Sequence, residues 1–272
     1  MILWSAIDAE LRYSIVMDRP IEIYQLILFK SDFLTQIRIR QVNRVFYAKL
    51  EIHDFYHISS NYLMLLSDKN LLAYPFIRYL YTNSNYITNI NHLTKLETLY
   101  IGYYTYSTNN GLVGVTNLIE LDIDRSCLIT SLNHLTKLQK LTVCSGTNHI
   151  DNDAIVNLTN LTELDVRFNT KIFNINHLTK LKTLDCSAYT MIGNDNISDL
   201  TNLTRLDVSC NERITDINHL TNLKSLNAIG RWCGLGMDGI ANLVLTELNV
   251  TDRGGTDHNH KILDFLPKEK VD

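Results

Sequence analysis

The sequence is short of several features that mark whole protein classes. Basic charge is not in excess. The chain has 25 Lys and Arg against 29 Asp and Glu, a net charge of −4. No global positive field is therefore expected to draw in nucleic acid or an anionic lipid surface. Long apolar runs are also missing. The most apolar stretches, 23–29 and 62–66, fall far short of the roughly 20 residues of a membrane span. Asp8, Glu10 and Arg12 interrupt the opening, which does not read as a secretory signal. The five cysteines, Cys127, Cys144, Cys186, Cys210 and Cys233, are odd in number and form no Cys-x-x-Cys pair. They read as reduced thiols filling small positions in a cytosolic protein, not as a disulfide framework or a zinc site. No Gly-x-Gly-x-x-Gly, Walker loop, His-Glu-x-x-His or Gly-x-Ser-x-Gly occurs, so a cofactor-dependent or hydrolytic enzyme has no motif to rest on. No metal and no cofactor are expected.

What the chain does have is repetition. Hydrophobic residues make up 45% of its 272 positions, enough for a sizeable core. They recur as Leu-x-x-Leu-x-x-Leu-x-Val. Aligned on the third leucine, the anchors are Leu80, Leu99, Leu121, Leu141, Leu164, Leu184, Leu206, Leu226 and Leu248. From Leu99 on, the spacings are 22, 20, 23, 20, 22, 20 and 22. Two kinds of repeat therefore alternate. The first opens on a His-Leu-Thr step at His92, His134, His177 and His219, and continues past its strand into a Gly, Asn and Asp-rich stretch such as 191–200. The second reads as 157–175 or 199–217, with Asn169 and Asn211 three residues past the strand valine.

The pattern has a direct physical reading. Leu-x-Val, as in Leu206-Asp207-Val208, is a short strand with one buried face. Asn169 and Asn211 fall where the chain must turn, so each is expected to point inward and bond backbone groups that the turn leaves unpaired. A single repeat cannot enclose its own apolar side chains, so stability requires stacking. Nine strands about 4.8 Å apart then make a parallel sheet roughly 40 Å long on an inner wall.

These residues resemble the leucine-rich repeat family over about 71–251. The Ile-Thr-Asp-Ile and Ile-Thr-Asn-Ile pieces at 214–217 and 87–90 are similar to its internalin-type variant. The alternation of 90–96 with 160–166 resembles leucine-rich repeat proteins of giant DNA viruses. The resemblance implies an α/β solenoid: parallel strands on the concave face, short helical, 3-10 or extended segments on the convex face, and binding of a protein target.

Residues 1–66 do not repeat and read as an α-helical segment preceding the repeat domain of 67–252; 253–272 reads as a polar C-terminal cap. Three short amphipathic helices are expected, starting at Pro20, near Ser31 and near Gln41. Their order resembles an F-box, with Pro20, Glu22, Ile23, Ile27 and Leu28 matching the family's opening and 40–50 its third helix; Arg19 stands where the family has leucine. The resemblance implies that Pro20, Ile21, Ile23, Leu26, Ile27 and Val42 face a Skp-type adaptor of a cullin-type ubiquitin ligase. The other reading is a lid on the first exposed edge of the stack.

Positions one before, one after and three after each anchor should face the inner wall. They include Glu120, Asp122, Asp124, Glu163, Asp165, Asp185, Asp207 and Glu247, against Lys140, Arg167 and Arg205. The excess negative charge is thus concentrated on one face, complementary to a basic protein surface. The alternative is that Leu-Asp-Val is ordinary repeat texture, its carboxylates merely solvated. Tyr79, Tyr81 and Tyr100 add aromatic area of the kind that anchors interfaces. The four repeat histidines read as turn residues; they lie two coils apart, roughly 10 Å, too far to share an ion. The expected partner is a protein, in the cytoplasm (of the host, if the chain is viral), with no nucleic acid and no membrane.

Overall fold

The computed structural model describes residues 54–55, 67–72, 74–82, 84, 86–102, 108–123, 128–144 and 149–250. One parallel sheet runs through them in sequence order: β1 (Asp54–Phe55), β2 (Tyr79–Thr82), β3 (Thr98–Ile101), β4 (Glu120–Ile123), β5 (Lys140–Thr142), β6 (Glu163–Asp165), β7 (Thr183–Asp185), β8 (Arg205–Asp207), β9 (Ser225–Asn227) and β10 (Glu247–Asn249). The register pairs the anchors one to one, from Leu80 with Leu99 to Leu226 with Leu248. The repeat alignment read from the sequence is the hydrogen-bonding alignment of the sheet. Strand β1 pairs with β2 through Asp54 and Phe55, so the sheet extends one strand ahead of the first anchor, into the span assigned above to the N-terminal segment.

Each coil contributes the same apolar columns. The anchor leucines from Leu80 to Leu226 are buried, as are the residues two places on (Ile101, Ile123, Val143, Val166, Cys186, Val208 and Ala228) and those three places before, Ile77 and then leucines. Leu248, on the last strand, is only partly covered. Every interior column is shared with the coils before and after, so burial depends on stacking and fades at an end.

The alternation of repeat kinds becomes an alternation on the convex face. Helical turns α1 (Asp68–Leu71), α2 (Asn109–Leu112) and α3 (Asn152–Ile155), then 3-10 turns at Asn194–Asn196 and Asp238–Ile240, occur in every second coil. The intervening coils cross the back in extended form, and their N–H groups need acceptors. The first residue of each of the first four of these turns supplies them. Asp68, Asn109, Asn152 and Asn194 each place Oδ1 to accept from two successive N–H groups one coil on, at Thr88 and Asn89, Thr130 and Ser131, Phe173 and Asn174, and Thr215 and Asp216. Asn91, Asn133, Asn176 and Asn218 then bridge each extended coil to the next helical turn. Their amides donate to Asn110, Asp153, Asp195 and Asp238 carbonyls. The structural unit is therefore a pair of neighbouring coils, one helical and one extended.

The histidines belong to the same stitching. The Nε2 atoms of His134, His177 and His219 lie 3.1, 3.4 and 3.1 Å from the carbonyl oxygens of Leu112, Ile155 and Ile197. Among the described residues His92 Nε2 is buried without such a partner. Backbones approach so closely here that side chains are excluded: a Cβ on Gly111 would lie 2.0 Å from the Thr88 carbonyl oxygen. Gly111→Ala is expected to cost about 2–3 kcal/mol by forcing two coils apart, read as a lowered urea midpoint. A change below about 0.5 kcal/mol would show that the gap opens freely.

Candidate functional site

The strands present alternating faces. Anchors point into the core while their neighbours remain partly or fully exposed on the concave wall. Among the residues selected from the sequence, Tyr79, Tyr81, Tyr100, Glu120, Asp122, Lys140, Glu163, Asp165, Asp185, Arg205 and Asp207 all lie on these strands, with Arg167 just past β6. Asp124 lies outside the described residues, as do Pro20, Ile21, Ile23, Leu26, Ile27 and Val42. No helix among the described residues is long and apolar enough to cross a membrane.

The sheet register sorts the wall into zones. The row after the anchors reads Tyr81, Tyr100, Asp122, Thr142, Asp165, Asp185, Asp207, Asn227 and Asn249. Its first end is aromatic: the rings of Tyr81 and Tyr100 are 6.3 Å apart and tilted, and the Tyr100 hydroxyl donates to Glu120 at 2.8 Å. Its later part is carboxylate. Asp165, Asp185 and Asp207 are direct neighbours in register, separated by about one strand spacing. Each accepts the N–H two residues on, from Arg167, Ser187 and Ser209. That local bond turns the chain out of its strand and holds the carboxylate in place.

Two of the three basic groups on this wall, Lys140 and Arg167, are engaged internally, while Arg205 is exposed on β8. Lys140 pairs with Glu163 at 3.0 Å, and that hydrogen bond, with the nearby carboxylates, raises its pKa. Arg167 binds Asp165 at 2.8 Å and reaches Asp185 at 3.3 Å; its pKa is raised, first by the hydrogen bond to Asp165. One guanidinium is thus shared by two of the three aligned carboxylates, while among the described residues the side chain bonded to Asp207 from the next strand is the neutral amide of Asn227.

Crowding makes Asp185 titrate abnormally. Burial pushes its carboxyl up from 3.8 to about 6; the Asp165 and Asp207 charges add to this, and the hydrogen bonds from Ser187 oppose it. The folded chain therefore holds this proton more tightly than the unfolded chain does. Stability is highest below the unfolded value near 4, falls as pH rises through about 6, and stays lower above it. Asp185→Asn removes the charge while keeping an acceptor for Ser187. It should be about 1–2 kcal/mol more stable than the parent near pH 7.5, with the difference vanishing below pH 4. Urea titrations at the two pH values test this, and an equal difference at both would refute it.

Three of the described thiols are held away from the reactive thiolate form. Cys144, Cys186, Cys210 and Cys233 are free. Burial, helped by Asp165, pushes the Cys144 thiol up to about 12, and burial also raises Cys186 and Cys233. A raised thiol is a poor nucleophile at neutral pH.

A second feature lies beyond the wall, where each strand turns toward the convex side. The chain enters the left-handed region four residues past the anchor at Phe168 (φ 59°), Ala188 (56°), Cys210 (55°) and Gly230 (111°), with Tyr189 (61°) following Ala188. Backbone bonds stitch this row, from Phe168 N–H to the Ala188 carbonyl and from Cys210 N–H to the Ile229 carbonyl. The left-handed step swings Asn169 and Asn211 inward, as their spacing predicts, but each non-glycine residue here costs about 1–2 kcal/mol. Phe168 and Tyr189 bear that cost while 49% and 65% exposed. Tyr189, Met191, Glu212, Arg213 and Trp232 surround a pocket of about 240 Å³. The wall's period does not mark this rim; the only sequence signal is a large residue where the turn favours Gly or Asn.

The register, the interior columns and the convex turns define a leucine-rich repeat solenoid. No protein-family model matches the chain, and no curated protein matches it. Solved structures that resemble it include internalin C2 of Listeria monocytogenes, at 21% identity over 65% of this chain and 81% of that one, with a TM-score of 0.49. Another is internalin InlF of the same organism, at 21% identity over 75% and 67%, TM-score 0.45. The complex of TLR13 with ssRNA13 matches at 19% identity over 68% and 34%, TM-score 0.45. With every one of these TM-scores below 0.5, the fold assignment rests on this chain's own register and core.

Proposed function

We propose that the chain is a non-enzymatic interaction scaffold that holds a protein target of basic surface against its concave wall, in the cytoplasm. The observation that carries this reading is the aligned Asp165, Asp185 and Asp207 row, beside Lys140 and Arg167, which are already paired within the wall. A cation entering the row meets fixed, partly desolvated carboxylates and displaces no salt bridge at Asp207. Affinity purification on the full chain should recover a protein whose binding weakens with salt and falls at least about tenfold in Asp207→Asn with Asp165→Asn. A partner indifferent to both changes would defeat the reading.

The finer reading is a substrate-recognition adaptor of a cullin-type ubiquitin ligase, supported by the F-box-like pattern at Pro20, Glu22, Ile23, Ile27 and Leu28. A Skp-type adaptor should then bind the full chain, and Ile27→Asp should abolish binding; no binding at tens of micromolar removes this role. One observation favours the alternative, a stand-alone module in which residues 1–66 act as a lid: strand β1 extends the sheet from within that segment. In that case deletion of 1–66 should raise hydrogen exchange through β2 and β3.

A further inference from the structure

The rim pocket next to the carboxylate row includes two residues, Tyr189 and Cys210, held in a left-handed backbone that costs the fold. Tyr189 is held left-handed directly after a left-handed Ala188 and is 65% exposed, and Trp232 is 56% exposed. A glycine or asparagine would make the same turn at lower cost, so folding alone does not account for a tyrosine. Among the described residues no hydrogen bond or ion pair holds the Glu212 carboxylate or the Arg213 guanidinium at the pocket's edge. A volume of about 240 Å³ is below the roughly 300–1,000 Å³ of small-molecule sites and suits one side chain. Cys210, on the pocket's lining, follows Asp207 by three residues, at most about 10 Å along the chain. Two or three residues of one ligand therefore span both features.

We propose that Tyr189, Met191 and Trp232 form an anchor pocket for a peptide segment of the partner, taking one aromatic or large aliphatic side chain while an adjacent lysine or arginine lies on the Asp185–Asp207 part of the wall. This rests on the reading of the concave wall as a surface for a basic protein, and it names the sequence feature that partner must carry. The argument for a peptide over a nucleic acid is charge: a stacked base would bring its phosphates against the carboxylate row.

Selection of a random heptapeptide display library on the full chain tests this. Enriched peptides should place Lys or Arg within three residues of Trp, Phe, Tyr, Leu or Met. A synthetic copy of the best should lose at least about tenfold in affinity to Trp232→Ser, and separately to Asp207→Asn. Tyr189→Gly supplies a readout independent of binding: it should weaken the peptide while raising the melting temperature by about 2 °C, because the strain is relieved. If Asp207→Asn weakens the peptide and Trp232→Ser does not, the pocket is refuted and the acidic-wall reading stands. If neither changes affinity, or no such peptide is enriched, both fall. Binding of a uridine decamer that Trp232→Ser abolishes would overturn the peptide assignment.

Discussion

Asn211→Ala is expected to destabilise the chain by about 3–4 kcal/mol, the largest loss from any single polar side chain described above. The side chain is buried and fully used. Its amide nitrogen lies 3.0 Å from the Cys186 carbonyl, 3.2 Å from the Thr190 hydroxyl and 3.2 Å from the Ile192 carbonyl, while Oδ1 accepts from Arg213 and Ile214 N–H at 2.8 and 3.3 Å. These bonds join two coils and satisfy both sides of a turn. Removing them strands several backbone groups at about 1–3 kcal/mol each, less what relaxation and entering water recover. Asn169 makes the equivalent contacts, but its amide reaches the Val143 and Ile150 carbonyls at 3.4 and 3.3 Å. Asn169→Ala should therefore cost less, about 2–3 kcal/mol. Urea unfolding gives the magnitudes, and hydrogen exchange should show protection lost around β7 to β9 for Asn211 and around β5 to β7 for Asn169. An Asn211→Ala loss below about 1 kcal/mol would mean that these bonds are replaced by water without cost.

The second large effect should come from the middle of the apolar column. Leu184 is buried between Leu164 and Leu206 in register. Leu184→Ala removes its contacts with both neighbouring coils and leaves a cavity that fixed backbones cannot close, at a cost of about 3–4 kcal/mol. The same substitution at Leu248, on the last described strand and only partly buried, should cost about 1 kcal/mol. The contrast is the informative measurement. A stack coupled through nearest neighbours predicts a steep dependence on position, whereas equal losses at Leu184 and Leu248 would contradict the shared interior.

Both predictions touch features that are legible in the residues themselves. The period of the leucines dictates a coil, because strand alternation that recurs at a short, regular interval leaves apolar side chains that only neighbouring copies can cover. The same spacing places Asn169 and Asn211 at the turn, facing inward. It also places Asp165, Asp185 and Asp207 in one row, since anchors that align in sequence align in the sheet. The histidines read from the sequence only as turn residues. In the structure three of them also bond a carbonyl of the preceding coil, a partner that no local pattern marks.

What the tertiary structure decided lies between coils or outside the period. The alternation of shorter and longer spacings shows that two kinds of repeat exist, but not why. The reason is that extended back-crossings need the asparagines of adjacent helical turns as acceptors, a relation between segments one coil apart. The sharing of Arg167 by Asp165 and Asp185, and the raised titration of Asp185, follow from side-chain packing on the assembled wall. The rim pocket joins Tyr189, past β7, to Trp232, past β9, across three successive coils, and both are irregularities within their own repeats. A periodic sequence specifies what each coil does alone and the direction in which it stacks. Contacts that break the period exist only after stacking, because their partners come from different copies.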